Sequence, residues 1–336
     1  MAQAAFHRHG GRLAAARRAF PDAPSPWLDL STGINPRPWS GPRATVEDLG
    51  RLPDPEMLAA LEAAAAEAFG TSPERVAAVP GAEAGLRALP RLTGAGRVGI
   101  VSPTYGGHAE AWAAAGVPVQ ALAFGEFQTC DAEAVLLVNP NNPDGVQVEP
   151  DRLVQLARRR SAAGRWLVVD ESFVEATPGL SVADERALGL VVLRSFGKFY
   201  GLAGVRLGFV VGAPELIGRV RGQFGDWPVA AEALAAGTAA YADAVWRATT
   251  LERLTEDAAR LDRLLTTSGF EVLGGSPLFR LARATDAGRR FDALCRAGIL
   301  TRPFSDAPTW LRFGLPDGAG WSRLEAALKT VMEIPR

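Results

Sequence analysis

Lysine is almost absent from this sequence, and one of its two lysines stands where a reactive amine is expected. Of the 36 basic residues, only Lys198 and Lys329 are lysine and 34 are arginine. A lysine amine can lose its proton and form a Schiff base, whereas an arginine side chain cannot. Lys198 follows the apolar run 191–193 and precedes Arg206 and a second apolar run, while Lys329 fits the solvated face of an amphipathic helix. We therefore expect Lys198 to carry chemistry in a loop after a buried strand.

Other polar residues also stand directly after short apolar runs. Ligands of a mostly parallel sheet bind beyond the carboxyl ends of its strands, so these residues are the best site candidates. Asp170 follows four apolar residues, where burial of a carboxylate is costly unless it meets a cation. Each residue alone is a weak indication, because an aspartate can cap a helix and NPNNPDG can be a simple turn. In chain order the candidates are Gly81, Ala82, Glu83, Tyr105, Asn142, Asp170, Ser195 and Lys198.

Apolar strands alternate with helical segments between residues 55 and 212. Nearly uninterrupted apolar strands between helices indicate a parallel sheet that is buried on both faces. We therefore predict an α/β fold, with a mostly parallel seven-stranded sheet between helices in a large domain and a smaller α+β C-terminal domain. The predicted boundaries are an N-terminal arm at 1–45 that packs with the small domain, a large cofactor-binding domain at 46–225 and a small domain at 226–336.

Two segments are expected to depart from this regular alternation of strands and helices. Residues 1–50 are predicted to be irregular apart from a strand-like segment at 27–31, and the helix at 82–92 is expected to end or kink at Pro90.

The bulk composition excludes several classes of protein. A net charge of −1 with 48% hydrophobic residues gives no basic excess for nucleic acid. No apolar stretch reaches about 20 residues, and the N-terminal segment has no signal-peptide core, although its arginines leave a mitochondrial transit peptide as a weak alternative. Two isolated cysteines favour a reducing cytoplasm, and three scattered histidines predict no metal site.

The candidate residues together resemble a known family, the fold-type I pyridoxal-phosphate enzymes of the aspartate aminotransferase superfamily. The resemblance covers roughly residues 28–315 and implies pyridoxal 5'-phosphate as the cofactor and Lys198, Asp170 and Tyr105 as the catalytic residues. Lys198 then forms the Schiff base with the cofactor aldehyde, and Asp170 pairs with the protonated ring nitrogen. The motifs that carry it are GAE (81–83), NPNNPDG (139–145), DESF (170–173) and SFGKFYGLAGVRLGF (195–209).

The resemblance also assigns the remaining cofactor contacts. Tyr105 stacks on the ring and Asn142 binds the ring hydroxyl. The cofactor phosphate is held by the backbone of Gly81, Ala82 and Glu83 and by the side chains of Ser195 and Arg206.

Within the superfamily, the segments 9–20, 28–39 and 52–61 resemble the threonine-phosphate decarboxylases of cobalamin biosynthesis, nearest the short aerobic-pathway type. This implies a cytoplasmic lyase, a homodimer, that decarboxylates L-threonine O-3-phosphate to (R)-1-aminopropan-2-yl phosphate. The similar histidinol-phosphate aminotransferases usually carry DEAY where this chain has DESF, so Phe173 replaces a tyrosine that contacts the cofactor. An aminotransferase acting on a phosphorylated amino acid or amino alcohol is the alternative, and a non-catalytic cofactor-binding protein is a third possibility.

Substrate anions require cations and N–H donors, and the sequence offers a small set of them. Arg312 matches the arginine that binds the substrate carboxylate in the superfamily, a bidentate role that lysine fills poorly. Which arginine binds phosphate and which binds carboxylate stays open, and a surface histidine or a structural ion pair is the alternative interpretation. The predicted substrate-binding residues are His9, Asn35, Arg302 and Arg312.

Three further positions depart from the family pattern. Leu52 stands where many relatives have a tyrosine that reaches the neighbouring subunit's cofactor phosphate. Ala82 replaces a common hydroxyl or glycine, and Asp144 replaces a usual threonine. The departure at Leu52 puts the completion of the phosphate site by a second subunit in doubt, but not dimerisation itself.

Overall fold

The computed structural model describes residues 6–333. The helices of this range are α1 Leu13–Ala19, α2 Val46–Leu49, α3 Pro55–Phe69, α4 Ala82–Thr93, α5 Gly107–Ala114, α6 Pro150–Ala162, α7 Phe196–Phe199, α8 Pro214–Phe224, α9 Ala231–Ala242, α10 Ala244–Thr267, α11 Ala287–Arg296 and α12 Gly318–Glu333. The strands are β1 Leu28–Asp29, β2 Val76–Val79, β3 Val98–Val101, β4 Val119–Leu122, β5 Ala134–Val138, β6 Trp166–Asp170, β7 Leu190–Ser195, β8 Gly208–Gly212, β9 Glu271–Ser276, β10 Phe279–Arg283, β11 Ile299–Leu300, β12 Arg302–Pro303 and β13 Trp310–Gly314. None of these helices combines the length and the hydrophobicity needed to cross a membrane.

The chain divides into two compact units, of which the larger comprises residues 38–142 and 146–249. It contains a seven-stranded sheet in the order β2-β8-β7-β6-β5-β3-β4. All neighbours are parallel except that β8 runs antiparallel to both β2 and β7. Strands β2, β3, β5 and β8 are buried along their whole length, as continuous apolar runs require, whereas the edge strand β4 is largely exposed. The predicted α/β fold with a mostly parallel sheet is confirmed.

Local sequence explains where the helices of this unit begin and end. Helix α3 starts at Pro55, which needs no N–H donor at that position, and ends before Gly70 in the left-handed region at φ 70°. The sequence predicts the same helix, from about Pro55 to Phe69, because PDPE is typical of a helix start and Gly70 of a helix stop. Helix α4 runs from Ala82 to Thr93, close to the predicted 82–92, and it continues past Pro90, so of the two expected effects of Pro90 an end of the helix is wrong and a kink stays a prediction. A proline this near a C-terminus removes one of the last intrahelical hydrogen bonds, and packing of the buried Leu86 and Leu89 retains the helix.

The smaller unit comprises residues 6–37, 143–145 and 250–333 of the described range. It contains an antiparallel sheet in the order β12-β13-β10-β9 and a two-stranded parallel pair of β1 with β11. Strand β1 therefore ties the N-terminal segment to the C-terminal part of the chain. The loop residues 143–145 belong here because they run against β9, where an added Cβ on Gly145 would lie 2.0 Å from the carbonyl oxygen of Gly275.

Several elements differ from the sequence prediction. The N-terminal stretch is not uniformly irregular, since it contains α1 and α2, and α8 was not among the predicted elements. The units also divide at residues 37/38 and 249/250 rather than at the predicted 45/46 and 225/226. Helix α9 lies in the larger unit because Gly237 lets it approach Leu61 of α3, where an added Cβ would lie 2.6 Å from a leucine methyl. The division into functional domains stays a prediction.

Candidate active site

In the larger unit, the turn between β2 and α4 brings free backbone donors beside an arginine. Gly81 has φ +87°, and a Cβ there would lie 2.6 Å from Nη2 of Arg206. Arg206 is itself in the left-handed region at φ 57°, and its Nη1 donates to the carbonyl oxygen of Ala203 at 3.1 Å. The N–H groups of Ala82 and Glu83 open α4 and have no preceding helical turn to bond to. A helix N-terminus next to a guanidinium group is suited to an anion such as phosphate.

The side chain of Glu83 points to Tyr105 rather than to this turn. The Tyr105 hydroxyl donates to Oε2 of Glu83 at 3.1 Å, and Arg87 donates to the other carboxylate oxygen at 2.7 Å. Burial and then the negative charge of Glu83 raise the pKa of Tyr105 to about 12. Tyr105 therefore stays protonated, and its half-buried ring remains fixed at the end of β3.

The NPNNPDG loop uses two of its asparagines for structure. Asn139 exchanges two hydrogen bonds with the backbone of Val148, at 2.9 and 3.0 Å, and is fully buried. Asn141 donates to the carbonyl oxygen of Pro103 at 2.9 Å, which ties the loop to the end of β3. Asn142, the third asparagine of the loop, is half-buried at the position predicted to contact a cofactor.

Asp170 is buried at the end of β6, where it meets a histidine. Oδ2 of Asp170 lies 2.8 Å from Nε2 of His108, and Oδ1 accepts from the backbone N–H of Ser172 at 2.9 Å and from its hydroxyl. Burial alone raises the pKa of Asp170, but the hydrogen bonds and charge of His108 and the bonds from Ser172 outweigh it, so the pKa is lowered. Asp170 is therefore held as a carboxylate inside the protein, ready to pair with a cation.

Lys198 lies in the single-turn helix α7, directly after β7. Its Nζ lies 5.8 Å from the centroid of the buried Phe173 ring, at the outer limit of a cation–π contact. Gly197 permits this tight turn, because a Cβ there would lie 2.6 Å from Cα of Ala203. Ser195 precedes α7 and is half-buried. The reactive amine and the hydroxyl thus emerge from the same strand end.

A buried ion cluster lies beside these residues in the chain and is here called the carboxylate cluster: Glu171, Glu175 and Arg194. Arg194 donates to Glu171 at 2.9 Å and to Glu175 at 3.2 Å, and its guanidinium lies 4.2 Å from the Phe69 ring centroid. Burial raises the pKa of both glutamates, although Arg194 opposes the shift, while burial lowers the pKa of Arg194 and the two carboxylates more than reverse this. The cluster fixes the strand ends that carry Asp170 and Ser195.

In the smaller unit, two predicted substrate-binding residues face each other and are here called the arginine pair: Arg302 and Arg312. They are direct partners across the antiparallel strands β12 and β13. Burial, and then the positive charge of Arg302, lower the pKa of Arg312 to about 9, with Asp29 opposing the shift. Like charges directly opposite each other on a sheet destabilise it, so this position favours an anion. Nη2 of Arg312 donates to the carbonyl oxygen of Ser31 at 2.8 Å.

The other two predicted substrate-binding residues lie in the same unit. Oδ1 of the buried Asn35 accepts from Arg253 and from the backbone N–H of Arg37, each at 3.0 Å, so Asn35 holds the loop and an arginine of α10. His9 is half-buried and follows Arg8, whose carbonyl oxygen accepts from Nη2 of Arg302 at 2.8 Å. The smaller unit therefore brings His9 close to the arginine pair along the chain, while Asn35 has a structural contact of its own.

Comparison with known proteins shows the family to which the chain belongs. The sequence profile of the family described as "Aminotransferase class I and II" matches residues 35–320. The chain belongs to this family. Among its relatives in the family, the threonine-phosphate decarboxylase of Pseudomonas aeruginosa is 42% identical over 95% of this chain and 96% of its own. The histidinol-phosphate aminotransferase of Mycobacterium bovis is 32% identical over 77% of this chain and 73% of its own.

Solved structures of the aminotransferase family share the fold. The histidinol-phosphate aminotransferase of Sinorhizobium meliloti, solved in complex with pyridoxal-5'-phosphate, has a TM-score of 0.82 at 22% identity and covers 95% of this chain and 94% of its own. At this identity the likeness concerns the fold alone.

The residues of the larger unit fit the cofactor that the resemblance implies. The turn at Gly81 leaves space that a Cβ would fill and sets backbone N–H groups beside Arg206, as a phosphate requires. Asp170 is a buried carboxylate with a lowered pKa, as a protonated ring nitrogen requires. Lys198 provides an amine for an aldehyde. The individual roles of these residues stay proposals.

Sequence reasoning missed His108 and Ser172, which both bind Asp170. His108 lies in the first turn of α5, three residues after Tyr105, whose carbonyl oxygen accepts from the His108 N–H at 3.2 Å, and this turn brings the two rings to a centroid distance of 5.8 Å. Ser172 lies two residues after Asp170, a spacing at which a side chain and a backbone N–H commonly bond.

Proposed function

We propose that this protein is a pyridoxal-phosphate-dependent decarboxylase of L-threonine O-3-phosphate in cobalamin biosynthesis. The products are CO2 and (R)-1-aminopropan-2-yl phosphate, in which a proton takes the place of the carboxylate at Cα. The observation that carries the proposal is the 42% identity to the threonine-phosphate decarboxylase of P. aeruginosa over 95% of this chain. The histidinol-phosphate aminotransferase relative is less similar and matches a shorter part of the chain.

The larger unit holds the cofactor. Bound pyridoxal phosphate supplies an electron-accepting ring, which takes up the electron pair of the bond broken at the substrate Cα. Arg206, Ser195 and the N–H groups at the start of α4 bind the phosphate. Asn142 and Tyr105 orient the ring, and Asp170 keeps a proton on the ring nitrogen. The bonds that His108 and Ser172 make to Asp170 support this role, because they keep its carboxylate ionised in a buried place.

Lys198 provides the proton that Cα receives after CO2 has left. Its amine lies against the apolar ring of Phe173. The usual family tyrosine would offer a hydroxyl here, and Phe173 removes one hydrogen bond of about 1 kcal/mol from this position. Lys198 is the amine at the strand end where the cofactor aldehyde is proposed to lie, which supports it as the acid of the final step.

The smaller unit binds the anionic groups of the substrate. A phosphorylated amino acid carries a phosphate and a carboxylate, and the arginine pair offers two planar guanidinium groups that suit both. The lowered pKa of Arg312 supports this role, because a buried cation that faces another cation gains most from a bound anion. His9 and Asn35 complete the proposed substrate contacts.

The proposal includes a homodimer in the cytoplasm. Apolar side chains that a monomer would expose to water support the dimer: Val46 is 89% exposed, Leu49 63%, Leu52 65% and Trp227 56%, and all four belong to the larger unit. Leu52 replaces the family tyrosine, so we propose that it contributes apolar contact to a second subunit rather than a phosphate ligand.

The test measures CO2 release from purified, cofactor-loaded protein with O-phospho-L-threonine and no oxo acid. Stoichiometric CO2 and amino-alcohol phosphate are expected, and Lys198→Ala is expected to lose activity by at least about 10³-fold. Lys329→Ala, which removes the exposed lysine of α12, is the matched control and keeps full activity. Turnover only with histidinol phosphate and 2-oxoglutarate would make the protein an aminotransferase instead.

A further inference from the structure

The N-terminal residues 6–11, here called the arm, are fixed in the smaller unit at both ends. Phe6 is buried, and its ring centroid lies 5.4 Å from that of the fully buried Phe291 on α11. At the other end the N–H of Gly11 donates to Oγ of Ser31 at 2.7 Å. Gly10 passes so close to the same residue that a Cβ there would lie 2.2 Å from the Ser31 carbonyl oxygen. The arm therefore has a defined position that requires its two glycines.

Each arginine of the arginine pair donates a hydrogen bond. Arg302 donates to the arm, and Arg312 donates to Ser31, the residue that holds the arm in place. Nη2 of Arg302 donates to the carbonyl oxygen of Arg8, and Nη2 of Arg312 donates to the carbonyl oxygen of Ser31, each at 2.8 Å. A guanidinium group is planar, so one such bond restricts the directions of its remaining N–H groups. The arm thus orients the donors of both arginines.

Ser31 connects these contacts. It is buried, its carbonyl oxygen accepts from Arg312, and its hydroxyl accepts from Gly11 while donating to Oδ1 of Asp29 at 2.5 Å. Its own N–H donates to the same Asp29 oxygen at 2.9 Å. A displacement of the arm therefore acts on Arg312 through a single residue that is fixed on three sides.

We propose that Phe6 and Ser31 are positioning residues. Through the arm they set the arginine pair for a phosphorylated substrate, and bound phosphate in turn holds the arm in its docked position. This inference rests on the proposed function, since it names how the substrate phosphate is selected. The coupling must be reciprocal, because a ligand that binds more tightly when the arm is docked also stabilises the docked arm by the same factor.

The test uses cofactor-loaded protein, so that the cofactor's own phosphate site is filled. Inorganic phosphate is titrated by calorimetry, and hydrogen–deuterium exchange of the arm is followed with and without phosphate. Wild type is expected to bind phosphate and to slow exchange at residues 6–11. Phe6→Ala and Ser31→Ala are expected to weaken phosphate binding about tenfold, as the loss of a buried contact or hydrogen bond predicts. Phe6→Leu, which keeps an apolar side chain, should restore most of the affinity.

Kinetics separate positioning from loss of structure. With O-phospho-L-threonine, Ser31→Ala is expected to raise KM about tenfold while kcat changes less than about twofold. Phe20→Ala is the matched control, because Phe20 is another N-terminal phenylalanine that packs on an aromatic ring, Trp27 at 6.5 Å, outside the arm. This control should leave KM, phosphate affinity and arm exchange unchanged.

Two results would overturn the inference. The first is phosphate binding that stays within twofold of wild type in both Phe6→Ala and Ser31→Ala, and the second is arm exchange that does not respond to phosphate. A wild type that binds phosphate and protects the arm but releases no CO2 would refute the proposed function and support the coupling of arm and arginines.

Discussion

Each of the two units contains a buried arginine, but the charges next to the two arginines have opposite signs. In the carboxylate cluster of the larger unit, Arg194 bonds to Glu171 and Glu175 and its pKa is raised. In the arginine pair of the smaller unit, Arg312 faces Arg302 across two strands and its pKa is lowered to about 9. The carboxylate cluster contains more negative than positive groups, and the arginine pair contains only positive groups.

Under the proposed function, the difference separates a structural arginine, Arg194, from a substrate-binding one, Arg312. A buried cation that is already surrounded by carboxylates gains little from a further anion. The arginine pair, in which Arg312 is buried and Arg302 half-buried, has positive charge that an anionic ligand can neutralise, so the cost of placing the two cations opposite each other is recovered on binding. Burial alone does not distinguish the two clusters, whereas the sign of the neighbouring charges does.

The largest effect is expected when the buried arginine of each unit is replaced by methionine, and this pair of variants tests the comparison. Arg194→Met leaves two carboxylates buried without their cation, and the free energy of unfolding is expected to fall by about 3–5 kcal/mol. Arg312→Met removes one of two repelling cations, which offsets the loss of its hydrogen bond to the Ser31 carbonyl, and the free energy of unfolding is expected to change by no more than about 1 kcal/mol. Urea unfolding at pH 7, followed by circular dichroism, measures both.

The two variants are expected to rank in the opposite order when enzyme activity is measured, with the larger loss in Arg312→Met. Arg312→Met is expected to lower kcat/KM for O-phospho-L-threonine by at least about 30-fold, corresponding to about 2 kcal/mol. Equal losses of stability in the two variants would show that both clusters are structural.

A smaller effect concerns the dependence of phosphate binding on pH. The pKa of Arg312 is lowered from its usual range to about 9, so at pH values between the two the folded protein has released a proton that the unfolded chain keeps. Stability without phosphate therefore rises with pH across this window, and phosphate stabilises the protonated form below it. Phosphate at about 100 times its Kd is expected to add about 2.7 kcal/mol at pH 7 and progressively less above pH 9.

Differential scanning fluorimetry of cofactor-loaded protein measures this dependence, with sodium chloride at matched ionic strength as the control. Arg312→Met should show no phosphate-dependent rise in Tm at any pH. A rise of the same size at pH 7 and pH 10 would indicate that phosphate binds elsewhere.

The smallest expected effect lies in the carboxylate cluster. Burial raises the pKa of Glu175 above the usual range of a glutamate although Arg194 opposes it, so its contribution to stability is complete at low pH and is lost as the pH rises through the raised pKa. Glu175→Gln cannot titrate, and its free energy of unfolding is expected to decline less between pH 5 and pH 8 and to differ from wild type by about 1 kcal/mol or less at pH 7. Glu171→Gln, which disturbs bonds from Ser181, Val182 and Arg194, is the control with the larger loss.

Much of the larger unit was predictable because its signals are local. Continuous apolar runs identified the buried strands, and Pro55 and Gly70 marked the two ends of α3 where the structure has them. The candidate residues followed from the strands, since a parallel sheet brings its carboxyl ends to one edge. Lys198 was evident because lysine is so rare in this chain.

What could not be predicted depends on contacts between residues far apart in the chain. His108 and Asp170 are 62 positions apart, and nothing local to His108 indicates that it bonds to a carboxylate. Arg312 was expected to bind an anion, but its cross-strand pairing with Arg302 depends on the register of two strands. The course of α4 through Pro90 and the place of α9 in the larger unit depend on packing, which outweighs local propensity.

The scarcity of lysine gives the position of Lys198 in α7 a practical use. A protease that cuts only after lysine has two sites in this chain and yields three fragments on complete digestion. Reductive fixation of an aldehyde on Lys198 converts that residue into a secondary amine that such a protease does not recognise, and the junction between residues 198 and 199 then stays intact. The mass spectrum of the digest would therefore report directly what fraction of a preparation carries the aldehyde, in the absence of any assay for turnover.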